Sequence, residues 1–303
     1  MARHPAVGET ILGEALAVTP GGKGLNQAVA AAAAMGSEEG TVHLHGAVGA
    51  DDAGRWLIAF AAGCGVGVDH VRVVEGGRTG SAWITVADDG ANSVIVDPGA
   101  NAATRFGLGA DQLSELDVVV AQLEVPEAAV ASLLQAARTA GACSLFNPSP
   151  VGVGRHLVPH ASIVVCNEHE LAELSGPALV GGHRTETVER RAAGMRHPDQ
   201  TVVVTLGADG AVAVGPDGTD VVAGIPMEAV DTTGAGDCLL GVLAGSLARG
   251  LRLPDALRRA NRAAAHSVTQ AGAALAIPRA DEMDRPPVGR DLDPAHPPPT
   301  VQW

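Results

Sequence analysis

The chain has 303 residues, 20 Lys+Arg against 34 Asp+Glu, and a formal charge of −14. At 46% hydrophobic residues it is too apolar to be disordered, and its length suits one large α/β domain or two ordinary ones. The acidic balance excludes nucleic acid or an anionic membrane as main partner, and 2% aromatics with no Tyr removes the stacking platforms of single-strand binders.

In chain order, Thr10–Val18 alternates loosely. Leu25–Met35 has the length of a helix, Thr41–Val48 reads as a strand and Asp51–Gly63 as a helix. Ser81–Ala87 and Asn92–Val96 are strand-like, and the Asp-Gly step between them is a hairpin signal. Asp117–Leu123, Ala142–Asn147, Ala161–Asn167 and Thr201–Leu206 read as strands; Pro126–Ala140, Gly236–Arg249 and Pro254–Ala271 read as helices. Pro126 and Pro254 fall where the first turn of a helix tolerates proline. Runs such as Val118-Val119-Val120 and Val202-Val203-Val204 mark strands buried on both faces, as in a parallel sheet. The alternation predicts an α/β fold: a doubly wound, mainly parallel central sheet flanked by helices. A hairpin cannot enter such a sheet through short connections, so it predicts a small side sheet covering one edge of the main domain, with strands at about 9–18 and 79–97. One domain over 1–283 is expected, then a tail over 284–303 whose six prolines favour an extended or disordered end.

The first residues lack the apolar stretch of a signal peptide, and no apolar run reaches the roughly eighteen residues of a membrane span, so a cytoplasmic protein is expected. Cys64, Cys143, Cys166 and Cys238 form no C-x-x-C pair and read as buried small hydrophobes in a reducing compartment. His156 and His160 are separated by Pro159, which argues against a metal pair on one helix face. His43 and His45 read as the polar face of one strand.

Two glycine turns carry chemistry. Asp231-Thr232-Thr233-Gly234-Ala235-Gly236-Asp237 precedes the apolar run Cys238–Leu247. Small residues let backbone N–H groups crowd around an anion, and the helix N-terminus adds partial positive charge. Asp237 then sits beside that anion, where a carboxylate is repelled by phosphate; proton transfer explains its presence. Taken alone, an ordinary N-terminal cap explains the segment equally well. Gly21-Gly22-Lys23-Gly24-Leu25-Asn26-Gln27 also runs into a helix, without the spacing of a Walker A loop. Lys23 and Asn26 can hydrogen-bond a polyhydroxylated ligand; the alternative is a solvated Lys and a turn Asn.

The two segments together resemble the ribokinase-like (PfkB) carbohydrate kinase family. Gly99-Ala100-Asn101, Gln122-Leu123-Glu124-x-Pro126, Asn147-Pro148-Ser149-Pro150, Asn167-Glu168-x-Glu170 and Thr205-Leu206-Gly207-x-x-Gly210 follow in the family's order. The resemblance implies a β lid over the substrate cleft and a homodimer through that lid. It implies an enzyme that phosphorylates a primary hydroxyl with ATP, turning D-ribose into D-ribose 5-phosphate. Another sugar or a nucleoside is the alternative substrate; binding without turnover is the alternative function. A dinucleotide-dependent oxidoreductase has only glycine turns in its favour, since G-x-G-x-x-G is absent.

By the same resemblance Asp237 matches the base that takes the proton of the sugar hydroxyl. The amides of Gly234, Ala235 and Gly236 match the anion hole. Gly21, Gly22, Lys23, Asn26 and Glu124 match sugar-contacting positions. Asn167 and Glu170 match the pair that organises Mg2+ and phosphate, mostly through water. Thr205, Gly207 and Gly210 match the loop along the nucleotide, and Asn261 a residue beside adenine and ribose. Asp231 and the carbonyl of Thr233 match a monovalent-cation site, expected to take K+, with Ser267 and Gly272 as further backbone ligands. As alternatives, Glu124 caps the helix at Pro126, and Asn167 and Glu168 simply start a helix.

The chain also departs from the family. An apolar strand ending in Asn-x-Asp is expected before His4-Pro5, and it is missing. Its loss would expose backbone donors and remove a sugar-holding Asp. Two explanations compete: a sequence shortened at its start, favoured because the downstream catalytic motifs are intact, or a genuine variant with impaired sugar binding, which motivates the non-catalytic alternative. Leu25 stands where a small residue is usual, and Ala276 where a Ser hydroxyl often completes the cation site.

Overall fold

A computed structural model of the chain describes residues 1–13, 17–36, 42–88, 92–107, 110–114, 117–176 and 184–285. The N-terminal half contains α1 (Lys23–Met35), β1 (Val42–His43), β2 (Gly46–Gly49), α2 (Asp52–Gly63), β3 (Val66–Gly67), β4 (Val71–Val74), β5 (Ser81–Val86) and β6 (Asn92–Asp97). The C-terminal half contains β7 (Val118–Gln122), α3 (Glu127–Ala140), β8 (Cys143–Asn147), β9 (Ile163–Asn167), α4 (Glu168–Ser175), α5 (Arg184–Met195) and β10 (Thr201–Thr205). It continues with β11 (Gly210–Gly215), β12 (Gly218–Ala223), α6 (Ala235–Ala248), α7 (Leu253–Ser267) and α8 (Ala280–Met283).

The central sheet has the order β12-β11-β10-β9-β8-β7. β7 to β10 are parallel, and β11 and β12 add antiparallel strands at one edge. Successive residues of each central strand enter opposite cores, as the two-residue period of a strand demands. Leu145, Ile163, Val165 and Val203 pack under α6 and α7. Phe146, Val164, Val202 and Val204 pack with Val130 and Leu134 of α3 and Leu171 of α4. Both faces are covered, which is why these segments are continuously apolar.

Helix ends follow local chemistry. Asp51 accepts from the amide of Gly54 at 2.9 Å and caps α2. Pro126 precedes α3, and Gly141 ends it in a left-handed conformation at φ 76°. Pro254 lies in the first turn of α7. α1 and α6 approach unusually closely. A Cβ at Gly241 would lie 2.2 Å from the Gln27 carbonyl, and one at Gly245 would lie 2.8 Å from the Ala31 carbonyl. Only glycine permits that backbone contact.

Several expectations need correction. Thr41–Val48 is not one strand: β1 pairs with β3 and β2 with β4, in separate two-stranded sheets. His43 and His45 are therefore not one polar strand face. His45 stacks on His70 at 4.3 Å between ring centroids and is half-buried. Burial, with His70 and then His43 nearby, brings its pKa down to about 4. The expected α/β fold with a mainly parallel central sheet is present, and the hairpin β11–β12, which the sequence reading missed, adds two antiparallel strands at its edge. β5 and β6 form the hairpin read from the Asp-Gly step, pairing Trp83 with Ile95. Residues 9–13 and 17–18 carry no strand, and 14–16 lie outside the described residues. The tail is outside them too, apart from Asp284 and Arg285.

The lid is tied to the body at its root. The amide of Thr79 donates to Asp51 at 2.8 Å, and the Gly49 amide donates to the Thr79 hydroxyl at 3.0 Å. The Thr79 hydroxyl also donates to Asp51, and that bond, followed by those from the Thr79 and Gly54 amides, holds the Asp51 pKa down at about 2. One carboxylate thus joins β2, the start of α2 and the lid.

Candidate active site

The loop before α6 turns at Gly234, which has φ 76°. A Cβ there would also lie 2.6 Å from that of Ala273, so both backbone and space demand glycine. α6 begins at Ala235, and the amides of its first turn have no partner inside the helix. Ala235 donates to the Thr232 carbonyl at 3.3 Å, a long turn bond. Asp237 follows in that first turn and is only 8% exposed.

Both oxygens of Asp237 accept from α1. Asn26 Nδ2 donates to Oδ2 at 2.9 Å and Gln27 Nε2 to Oδ1 at 2.8 Å. Lys23 Nζ lies 4.0 Å from Oδ1. Lys23 is the sole lysine of the chain. Positions 23, 26 and 27 are spaced i, i+3, i+4, which puts all three on one helix face. The two glycine turns, far apart in sequence, therefore meet at one carboxylate.

Glu124 lies just beyond β7. Its Oε2 accepts from the Lys23 amide at 2.8 Å and faces Gly22. It caps α1, not the helix that follows it. Burial pushes its pKa up, against the Lys23 amide and charge, while Asp237 adds to the rise.

A cavity of about 200 Å³ opens at the C-terminal ends of β8, β9 and β10, where ligands bind in open α/β sheets. Lys23, Asn167, Glu170, Thr205, Gly234, Gly236 and Asp237 line it. Asn167 accepts from the Glu170 amide at 2.8 Å, and Glu170 Oε2 accepts from the Asn167 amide at 2.9 Å. This Asn-x-x-Glu pair is a capping box that starts α4, and Glu170 faces the cavity as well.

The other site residues expected from the sequence do not line that cavity: Gly21, Gly22, Asn26, Glu124 and Ala235 lie outside its wall, as do Gly207, Gly210, Asn261 and the residues expected around a monovalent cation. Gly21 is exposed on the approach to α1. Gly207 and Gly210 turn at φ 62° and 99°, and a Cβ at Gly210 would lie 2.1 Å from the Val222 carbonyl. Asn261 is buried and donates to the Ala223 carbonyl at 3.0 Å, joining α7 to β12. Arg184 pairs with both Glu168 and Asp209, which clamps this loop to α4. Asp231 accepts from the amides of Thr233 at 2.9 Å and Gly272 at 2.8 Å. Burial opposes its ionisation, but those bonds outweigh it and hold the pKa below the usual carboxylate value. Ser267 is buried, and its hydroxyl donates to the Ala264 carbonyl at 2.9 Å.

The pfkB family carbohydrate kinase model matches residues 2–280. The chain belongs to that family. It is a phosphotransferase of the class that acts on sugar hydroxyls. The ribokinase of Schizosaccharomyces pombe is 35% identical over 291 residues, covering 92% of this chain and 91% of that protein. A ribokinase of Arabidopsis thaliana, solved with ribose and ATP, superposes with a TM-score of 0.80 at 28% identity, covering 93% of this chain and 91% of that one. A ribokinase of Cryptococcus neoformans, solved with ADP, superposes at 0.76 with 31% identity and 93% of each chain covered.

In this pfkB chain, sequence reasoning quoted Gln27 within a motif but assigned it no role. The signal was its i, i+4 spacing from Lys23, which places it on the face that meets Asp237.

Proposed function

We propose that the chain transfers the γ-phosphoryl group of ATP to the C5 hydroxyl of D-ribose, giving D-ribose 5-phosphate and ADP. The observation that carries this reading is Asp237, an ionisable group in the first turn of α6, held by the amides of α1 at a cavity rich in small residues. Relatives named ribokinase, including one solved with ribose and ATP, support the choice of sugar.

The sugar lies against Gly21, Gly22, Lys23, Asn26 and Glu124. Asp237 takes the proton of the hydroxyl as its oxygen attacks phosphorus. The amides of Gly234, Ala235 and Gly236 face the charge on the transferring group, with the α6 N-terminus behind them. The nucleotide lies along Thr205, Gly207, Gly210 and Asn261, and Lys23 adds positive charge near the phosphates.

Among the described residues no group of three His, Cys, Asp or Glu converges as a metal cage. Two carboxylates on one cavity suit Mg2+ instead, because that ion keeps most of its water and binds phosphate. Asn167 and Glu170 would hold it through water, and it would neutralise phosphate charge. Asp231, held ionised, fits K+ with the carbonyls of Thr233, Ser267 and Gly272; Ala276 offers no hydroxyl there. The ion would add positive charge beside the anion hole.

The lid presents Trp83 and Ile95, each 71% exposed and paired across the hairpin. We assign that face to a second copy of the chain, in a homodimer, since large exposed apolar patches mark interfaces. Four free cysteines fit a cytoplasmic setting, and no helix among the described residues is long and apolar enough to cross a membrane.

A coupled assay of ADP release tests the reading across D-ribose, 2-deoxyribose, fructose and nucleosides. Ribose is expected to give the highest kcat/KM. Sugar-independent ADP release alone, or none, would overturn it.

A further inference from the structure

We infer that Gln27 is a positioning residue for the reaction: it holds Oδ1 of Asp237 throughout, so that Oδ2 receives the proton. The inference rests on Asp237 being the base, as proposed above.

The two amides on Asp237 are not equivalent. Asn26 donates to Oδ2, but its own Oδ1 is buried and has no hydrogen-bond partner among the described residues. A buried acceptor without a donor is costly. A sugar hydroxyl beside Asn26 supplies the missing donor. The Asn26 amide then turns towards the sugar and leaves Oδ2.

Gln27 has no such freedom. Both residues are buried, at 5% and 3% exposure, and neither lines the cavity; the packing of Gln27 against α6 is what sets it apart. Its backbone carbonyl is wedged against Gly241, one turn beyond Asp237 on α6. The same face of α1 then meets α6 at Gly241 through Ala30, whose Cβ would lie 2.6 Å from a Cβ placed there. Packing with no space for a methyl group sets the register of α1 on α6. That register aims Gln27 Nε2 at Oδ1, and sugar binding does not disturb it.

Charge sorts the oxygens in the same direction. Oδ1 accepts from Gln27 and lies 4.0 Å from Lys23 Nζ. Both interactions draw electron density and make Oδ1 the poorer proton acceptor. Oδ2 is the better one as soon as Asn26 departs. In the reaction, the O–H bond of the sugar breaks and its proton moves to Oδ2. The sugar oxygen forms the new bond to the γ-phosphorus, and the bond to the β–γ bridging oxygen breaks, its electron pair leaving on ADP. With both oxygens occupied before sugar arrives, Asp237 is also kept from activating water.

The test uses the full chain. Gln27→Met keeps the volume and removes the donor; Gln27→Glu keeps the shape and sets a second carboxylate against Oδ1. Losing a hydrogen bond to a charged group predicts a kcat about 10- to 100-fold lower for Gln27→Met, or about 1.4–2.8 kcal/mol, and a deeper loss for Gln27→Glu. The sugar KM stays within about threefold, because the side chain does not touch substrate. ADP affinity by calorimetry stays at the wild-type value. Wild-type kcat in both variants would overturn the inference. So would a joint loss of kcat, sugar KM and ADP affinity, which marks a side chain that only holds α1 against α6. Asp237→Asn measured alongside separates the two claims. If it stays active, the base assignment fails and Gln27 loses its role with it. If it is inactive while both Gln27 variants match wild type, only the role of Gln27 fails.

Discussion

From β7 onward, six strands form one continuous sheet; before it, β1 to β6 form three separate pairs. In the first region Val202, Val203 and Val204 are fully buried, whereas in the second Trp83 and Ile95 of the lid stand mostly in solvent. The contrast follows the division of labour. The continuous sheet brings Asn167 and Thr205 to the cavity that Asp237 lines, where, in the proposed reaction, errors of a fraction of an ångström would weaken a charge-stabilising site. The paired strands carry the exposed hairpin, to which the proposal gives the role of a lid, and such elements come from the less buried part of a fold. α1 belongs to both. Its face towards α6 is locked, and Lys23 at its N-terminus lines the cavity.

The largest effect expected is on the locked side. Asp237→Asn should lower kcat by about 10²- to 10⁴-fold, the range for loss of a general base. Calorimetry should find ADP affinity unchanged. A parallel fall in ADP affinity would mean that nucleotide and proton transfer are not served by separable parts of α6.

Glu124→Gln sharpens the contrast from the sugar side. Gln keeps an acceptor for the Lys23 amide but gives up the charge. The sugar KM is expected to rise about tenfold, the scale of one charged hydrogen bond, with ADP affinity intact. Stability should move the other way. The folded pKa of Glu124 is raised by burial, so its favourable contribution is complete only below the unfolded carboxylate pKa. That contribution is lost as pH rises through the folded pKa. The Gln variant should therefore melt no lower than wild type at pH 7, and its advantage should shrink towards pH 4. A lower Tm at pH 7 than at pH 4, relative to wild type, would contradict the burial argument.

The smallest effect belongs to the lid. Replacing Trp83 and Ile95 together by Ser removes the exposed apolar pair without touching the central sheet. Sedimentation should show a dimer becoming a monomer, with the sugar KM changed only about two- to threefold and ADP affinity unmoved. A wild-type monomer, or an undisturbed dimer in the variant, would remove the lid from the interface.

Legibility in the sequence followed burial. β7 to β10 were readable because both faces are covered, which makes each a run of apolar, β-branched residues. β11 and β12 were missed because Gly210–Gly215 alternates small residues and Gly218–Ala223 opens with polar ones. The split of Thr41–Val48 was hidden for another reason: which strand pairs with which neighbour depends on β3 and β4, both too short to be read alone. In the site, Lys23, Asn26 and Asp237 were legible as motif members. Asn167 and Glu170 were readable as a pair, and the structure adds their capping of α4. Gln27 was quoted in the same motif as Lys23 and Asn26 without a role, because its hydrogen bond to Asp237 appears only when α1 packs on α6.

Alone, the sequence determined the chemistry on offer: two glycine turns opening two helices, one lysine, one acid in a first helical turn, and membership of a kinase family. These are local matters, decided by residue type and spacing within a few positions. Only the tertiary structure decided that the two turns face each other, that Glu124 caps α1, and that each oxygen of Asp237 meets a different amide. The reason is a backbone contact between α1 and α6 at Gly241 and Gly245, and the register of such a contact is a property of two surfaces together.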